Sequence, residues 1–250
     1  MKDFKPELSF GPKLAEVYDD RQHYSKTPSR RDRDAAVALL ESLAHGGPVL
    51  ELAIGTGWIA LPLAARGIRV DGIELSAAMV DRLRTKPGGE QLSVTIGDMA
   101  DVVVPGTYRL IYVVANSLFN LLTQDDQVRC FENVAAHLAD NGVFLIEVYR
   151  PDFLYQLRSD QYVDAEGIEV DEVRLDVGRH DPITQLLDES HVLLTRDRVR
   201  MNPIVTRYAW PSELDLMARI AGLRLKERCG GWHREPFSAE SRYLVAVYGV

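Results

Sequence analysis

The sequence has few of the features that mark secreted or membrane proteins. It contains only two cysteines, Cys130 and Cys229, which are too few and too far apart for a zinc site or a disulfide framework. The segment after Met1 has no apolar stretch of the kind found in secretory signals. No run reaches the roughly 18 apolar residues that a membrane-spanning helix needs. These absences predict a cytoplasmic protein without a membrane partner.

An excess of basic residues is also missing. The 29 lysines and arginines are outnumbered by 37 aspartates and glutamates, which gives a net charge of −8. Nucleic-acid-binding domains usually carry a basic face, and the one basic cluster, at 30–33, is of mixed charge and suits a solvated helix start. We therefore expect no nucleic-acid partner. The 250 residues, 46% of them hydrophobic and 26% charged, suit one globular domain with an elaboration.

The most informative stretch combines a strand, a glycine turn and a helix. The apolar run 48–54 predicts a buried strand. Gly55 and Gly57 follow, where the absence of a Cβ allows a sharp turn and lets a ligand approach the backbone. Residues 58–65 predict a helix, whose first turn would present unpaired N–H groups to that ligand. Such a unit is typical of half of a nucleotide-binding fold.

Two acidic residues indicate which nucleotide this unit binds. Glu51 lies within the first predicted strand, where a carboxylate is unfavourable unless it is paired or lines a ligand cleft. Glu74 ends the second predicted strand, near the spacing at which an acid hydrogen-bonds ribose hydroxyls.

With these acids, residues 49–57 resemble the first motif of class I S-adenosylmethionine-dependent methyltransferases of the small-molecule type. The resemblance implies that Glu51 helps to hold the methionine end of the cofactor and that Glu74 takes the ribose diol. The chain departs from the family pattern at Ala53, where the family usually has glycine, and at the bulky Trp58.

The resemblance also assigns the adenine end of the cofactor. It places Asp98 against the adenine amino group and Met99 on the adenine face; the alternative, that Asp98 merely caps a turn, is less favoured given the two acids already assigned. The cofactor-binding residues predicted in this way are Tyr18, Glu51, Leu52, Ala53, Gly55, Gly57, Glu74, Leu75, Met79, Asp98, Met99 and Asn116.

The alternation of strand and helix patterns up to residue 150 predicts an α/β fold. It is expected to be Rossmann-like and doubly wound, with a mostly parallel sheet. The resemblance implies seven strands with an antiparallel terminal strand. About three further strands, at 168–177, 184–195 and 198–208, predict a small inserted antiparallel sheet. The domain boundaries follow: a lid at 1–31, the methyltransferase domain at 32–150 and 210–250, and inserted strands over the substrate at 151–209.

The function implied is methyl transfer to nitrogen or oxygen of a small metabolite by in-line displacement, for which no metal is needed. Position predicts Asn120, Tyr149, Arg150 and Trp232 as substrate contacts. The general base stays unassigned, with His233, Tyr24 and His191 as candidates.

Two other functions stay open at this point. The pattern Gly55-x-Gly57-x-x-Ala60 loosely matches the fingerprint of NAD-dependent oxidoreductases, although Glu51 would have no role there. A catalytically silent, cofactor-binding module of methyltransferase type is the second alternative. The oligomeric state does not follow from the sequence, although inserted strands could pair between subunits in a homodimer.

Overall fold

The computed structural model describes residues 1, 9–19 and 32–250. Tyr24 and much of the predicted lid at 1–31 therefore lie outside the described residues. The strands are β1 (Val49–Leu52), β2 (Val70–Glu74), β3 (Ser93–Ile96), β4 (Tyr108–Val113), β5 (Leu138–Tyr149), β6 (Gln161–Ile168), β7 (Glu172–Asp181), β8 (Leu186–Thr195), β9 (Val199–Arg207), β10 (Arg224–Cys229) and β11 (Tyr243–Gly249). The helices are α1 (Pro12–Ala15), α2 (Arg33–Ala44), α3 (Ala60–Ala64), α4 (Ala77–Arg84), α5 (Gln124–His137) and α6 (Pro211–Ile220).

The central sheet has seven strands in the order β10-β11-β5-β4-β1-β2-β3. Strands β3, β2, β1, β4 and β5 pair in parallel, and β11 pairs antiparallel with both β5 and β10. This confirms the predicted seven-stranded sheet with an antiparallel terminal strand. The order reverses beside β1, and a ligand crevice is expected at the carboxyl ends of the strands there.

Helices cover both faces of this sheet because successive strand residues point to opposite sides. One core packs α2, α3 and α4 against residues such as Val49 and Leu110. The other packs α5 and α6 against neighbours such as Leu50 and Ile111. Strand β1 is buried along its whole length, which explains why it reads as a continuous apolar run interrupted only by Glu51.

The insertion forms a second sheet, β6-β7-β8-β9, in which all neighbours are antiparallel. The predicted small sheet is confirmed, but the expected count of three strands is wrong. Strand β6 lies at an edge, most of its side chains are partly or fully exposed, and its register shifts at Glu166. A strand with no buried face leaves no regular alternation in the sequence.

Strand β5 begins directly after α5, at Leu138. Asn141-Gly142, a pair of residues that often forms a turn, is an irregularity within this strand, where Asn141 has φ 59° and the pairing with β4 changes register. Within the described part of the chain, none of the helices is long and apolar enough to cross a membrane.

Candidate functional site

The glycine loop joins β1 to α3 and is held in place by Glu74. The two oxygens of the Glu74 carboxylate accept 2.8 Å hydrogen bonds from the backbone N–H groups of Gly55 and Ser76. Burial raises the pKa of Glu74, and these backbone donors oppose that effect. Each carboxylate oxygen has a second lone pair, so Glu74 can still accept a hydrogen bond from a ligand above the loop.

The loop needs left-handed backbone conformations at three positions. Gly55 and Gly57 have φ of 56° and 76°, and Ala53 has φ 55°. Glycine adopts such values freely, whereas an L-residue is strained there. This explains why the family usually has glycine where this chain has Ala53. A Cβ added to Gly55 would meet only the Ala53 carbonyl oxygen at 3.8 Å, so the loop faces open space on that side.

Glu51 lies beneath the loop and is only 3% exposed. It accepts a 2.8 Å hydrogen bond from the Tyr112 hydroxyl on β4, and the Ala60 backbone N–H acts with this hydroxyl to lower the pKa of the carboxyl. Burial raises the pKa of Glu51 to about 8, and the charge of Glu74 acts in the same direction. A cationic ligand group beside Glu51 would favour its ionised form.

The residues predicted for the adenine end differ in exposure. Leu75 is 47% exposed beside the loop and can cover an adenine ring. The exposed Asp98 accepts a 2.9 Å hydrogen bond from the Ala100 N–H, which is the turn-capping arrangement. Met79 and Met99 are buried with little surface to offer, and Leu52 is likewise buried.

The end of β4 forms a second left-handed turn at Ala115 and Asn116, whose φ values are 55° and 63°. The Asn116 side-chain oxygen accepts a 2.8 Å hydrogen bond from the Tyr149 N–H, which joins this turn to β5. The Ala115 N–H donates at 2.9 Å to Glu147, a buried carboxylate on β5 that is not among the predicted site residues. Like Glu51, Glu147 is a single acidic residue within an apolar strand. This pattern in the sequence could have identified Glu147 as a candidate site residue.

Residues 9–19 lie across this edge of the sheet. Asp19 accepts hydrogen bonds from the Thr56 hydroxyl (2.7 Å), the Lys86 ammonium (2.8 Å) and Arg82 Nε (3.3 Å). The Ser76 hydroxyl donates to the Phe10 carbonyl oxygen. This part of the predicted lid is therefore attached directly to the glycine loop.

A cavity of about 320 Å³ lies between the strand ends, residues 9–19 and the inserted sheet. Tyr18, Asn116, Asn120 and Tyr149 line it, as does the candidate base His191. The inserted sheet also contributes Glu166, Asp176 and Glu189, which no sequence signal had marked because they belong to separate strands of irregular pattern.

Three of the residues predicted as substrate contacts or as the general base are not brought to this cavity. Arg150 pairs with Asp152 and donates to backbone carbonyls of the loop before β11. Trp232 is 3% exposed, and its indole N–H donates to Glu147 at 3.2 Å. His233 is exposed on the same loop. Arg150 and Trp232 therefore make structural contacts, because both hold the loop between β10 and β11 in place.

Comparison with known proteins agrees with this geometry. A methyltransferase domain family matches residues 49–142. The CcbJ methyltransferase from Streptomyces caelestis is 34% identical, with 98% of each chain covered and a TM-score of 0.89. A cypemycin N-terminal methyltransferase from Streptomyces sp. is 26% identical over 211 residues, 81% of this chain and 82% of that protein.

A third relative aligns over a shorter range. The dTDP-3-amino-3,6-dideoxy-alpha-D-glucopyranose N,N-dimethyltransferase of Streptomyces fradiae is 28% identical over 143 residues, 57% of this chain and 55% of that protein. The matches favour methyl transfer over the oxidoreductase alternative. Fold, glycine loop and sequence relatives together show that this chain is a methyltransferase and belongs to the class I S-adenosylmethionine-dependent methyltransferase family.

Proposed function

We propose that this protein transfers a methyl group from S-adenosylmethionine to a nitrogen atom of a small, amine-bearing metabolite. The observation that carries the proposal is the glycine loop between two buried carboxylates, Glu51 and Glu74, at the edge of the sheet where the cavity lies. That edge is where α/β folds of this class bind ligands.

The residues around the loop fit such a cofactor. The space that faces Gly55 leaves room for it. Glu51 would take the ammonium group of its methionine part, Glu74 the ribose hydroxyls, and Leu75 with Asp98 the adenine. The bound cofactor supplies a methyl group attached to a positively charged sulfur.

The residues of the protein supply the other requirements of the reaction. In-line displacement requires the acceptor atom to be held beside the methyl carbon and water to be kept out. Asn116, Asn120 and Tyr149 would orient the acceptor from the ends of β4 and β5, and Leu14 and Tyr18 would close the cavity from above. No residue needs to form a covalent intermediate.

Nitrogen is favoured over oxygen as the acceptor atom for two reasons. The names of two relatives state that they methylate an N-terminal amine and an amino sugar. Among the described residues, the cavity wall also carries three carboxylates and one guanidinium, that of Arg174, and this composition suits an amine better than a neutral hydroxyl compound.

The test measures cofactor binding and turnover separately. Calorimetry should detect binding of both S-adenosylmethionine and S-adenosylhomocysteine. Mass spectrometry should then detect methylated product from at least one of piperidine, cyclohexylamine, glucosamine and glycinamide. Cofactor binding without turnover on any amine or hydroxyl compound would indicate the catalytically silent module instead. Absence of cofactor binding would overturn the proposal.

A further inference from the structure

The inserted sheet has two faces, and only one of them lines the cavity. Side chains along a strand point alternately to opposite faces, so the residues between the cavity-lining ones lie on the other side of the sheet. We call that side the outer face. The strand pairing arranges its side chains in three rows across the four strands, which run from Val163 to Pro203, from Ala165 to Met201 and from Ile168 to Val199.

The outer face is apolar at every position but one. Three rows on four strands give twelve side chains, and Ser190 is the single polar one among them. The middle row consists of Ala165, Leu175, Val192 and Met201. An antiparallel sheet that has one solvated face usually carries polar side chains there. In this sheet the charged residues line the cavity instead, so the outer face has the composition of a surface that is covered.

Much of this apolar surface is accessible in the single chain. None of the twelve side chains belongs to either hydrophobic core of the described residues. Val163 on β6 and Met201 on β9, at the two sides of the sheet, are 66% and 68% exposed, and Val177 on β7 is 39% exposed. Large apolar side chains that are grouped and exposed in this way are typical of protein–protein interfaces.

The size and the borders of the outer face also suit an interface. Three rows on four strands measure roughly 20 by 20 Å, or roughly 400 Å² in projection. Polar residues border the rows: Arg179 pairs with Asp188 at one end of the sheet, and Arg196 pairs with Asp171 at the other. One partner of a standard interface contributes roughly 800 Å² of accessible surface, with an apolar centre and a polar rim. The outer face has this layout, and its area is of the same order once the relief of the side chains and the rim are included.

We propose that two copies of this chain pack their outer faces against each other and form a symmetric dimer. The occupant of the face must itself be apolar and nearly uncharged, because a charge buried against these side chains would lose its hydration without compensation. A second copy supplies such a surface with the same area, since a twofold axis brings identical patches together. Two twisted antiparallel sheets pack in this way about 10 Å apart, with their strands about 30° from parallel. The proposal does not depend on the proposed function.

Packing by faces is favoured over pairing by the edges of the two sheets. At the edge strand β6 the register shifts at Glu166, and an irregularity of this kind opposes the addition of another strand. Edge pairing through β6 would also leave the outer face uncovered. Met201 distinguishes the two arrangements, because it lies on β9, at the opposite side of the sheet from β6.

The first test measures the mass of the full chain by sedimentation equilibrium, over chain concentrations from about 1 to 100 µM. We expect a species of twice the 28.1 kDa of one chain. Val177→Lys and Met201→Lys should each weaken association at least about tenfold, because each buries a charge in the interface. Ile183→Lys is the matched control: Ile183 is 91% exposed in the turn between β7 and β8, beyond the row that contains Arg179, and its substitution should leave the dimer unchanged.

A wild-type protein that stays monomeric over the whole concentration range would overturn the proposal and would indicate that another part of the chain, or a different partner, covers the outer face. A dimer that both lysine variants leave intact would overturn it as well, since association would then use another surface. Val177 and Met201 are accessible in the single chain, so both variants should keep the circular dichroism spectrum of the wild type. Loss of that spectrum in one variant leaves the other variant and the wild-type mass to decide.

The second test locates the interface through the oxidation of Met201. Hydrogen peroxide converts an accessible methionine to its sulfoxide, and burial slows this reaction. Mass spectrometry should show Met201 oxidised several-fold more slowly in the wild type than in the dissociated Val177→Lys variant, whose substitution lies on a different strand. Ile183→Lys should retain the slow rate of the wild type. Equal rates of Met201 oxidation in the wild type and in Val177→Lys would show that the outer face is not the contact, and would overturn the proposal.

Discussion

The Tyr112 hydroxyl donates a 2.8 Å hydrogen bond to the Glu51 carboxylate across the adjacent strands β4 and β1. Both side chains are buried, and burial raises the pKa of Glu51 to about 8. The folded protein without its cofactor therefore keeps a proton on Glu51 at neutral pH. A ligand ammonium that needs the ionised carboxylate must displace that proton.

Cofactor binding at pH 7 should consequently release protons. We expect the heat of S-adenosylmethionine binding to differ between phosphate and Tris buffers, and its affinity to rise as pH increases towards 8 by at most about tenfold per pH unit. Glu51→Gln should abolish both effects and weaken binding. Tyr112→Phe removes a hydrogen bond that lowers the pKa of Glu51, so it should increase proton release. Binding heats that are the same in both buffers would contradict this role.

The stability of the cofactor-free protein should show the opposite trend with pH. Between the ordinary pKa of 4.5 and the raised value of about 8, the folded state holds a proton that the unfolded state has lost. Stability therefore falls as pH rises through this window, by up to about 1.4 kcal/mol per pH unit from this one group. Urea unfolding at several pH values should give a shallower dependence for Glu51→Gln.

Ala53→Gly should stabilise the protein. Ala53 has φ 55°, a conformation that disfavours an L-residue by about 1–2 kcal/mol, and the greater unfolded-state freedom of glycine offsets part of this gain. We expect a net gain of about 0.5–1 kcal/mol in urea unfolding, with cofactor affinity retained. The control Ala78→Gly lies within helix α4 and should lose about 0.5–1 kcal/mol. A loss of stability in Ala53→Gly would contradict strain at this position.

Gly55→Ala and Gly57→Ala should separate ligand binding from folding. An added Cβ at Gly57 would lie 2.3 Å from Leu83 Cδ1, so this variant should lose about 2 kcal/mol or more of stability. At Gly55 the space is open, so only the backbone strain of about 1–2 kcal/mol is expected, together with at least tenfold weaker cofactor binding.

Gly67→Ala calibrates this comparison, because Gly67 has φ +84° and its added Cβ would meet nothing within 4 Å. This variant should lose only the part of the unfolding free energy that corresponds to backbone strain, and it should retain cofactor affinity. Full affinity in Gly55→Ala would show that the cofactor does not lie over the loop.

Asp19→Asn should loosen the attachment of residues 9–19 to the glycine loop. Burial opposes ionisation of Asp19, but hydrogen bonds from Lys86 and Thr56 outweigh it and lower the pKa of this carboxyl. With the charge removed, S-adenosylmethionine should both bind and dissociate several-fold faster in stopped-flow measurements. Glu16→Gln, an exposed acid in the same segment, is the matched control. Unchanged rates in Asp19→Asn would mean that this attachment does not gate the site.

Local sequence patterns were sufficient to predict the part of the fold around the glycine loop. The strand containing Glu51, the left-handed glycines and Ser76, a residue type that is favoured at the start of helices, express backbone preferences that act over a few residues. The Ser76 hydroxyl does accept a hydrogen bond from the Met79 N–H. Edge strand β6 escaped detection because exposure on both faces removes the alternation on which such predictions depend.

The amino-acid sequence by itself determines the order of elements around Gly55, the class of fold and the family. Each of these depends on short-range periodicity and spacing. The lining of the cavity beneath the inserted sheet does not. Glu166, Asp176 and His191 come together only because three strands pair in one register, and Trp232 and Arg150 are drawn away from the cavity by contacts with distant parts of the chain. Contacts between residues far apart in sequence leave no periodic trace, so the tertiary structure alone decided which side chains line the cavity.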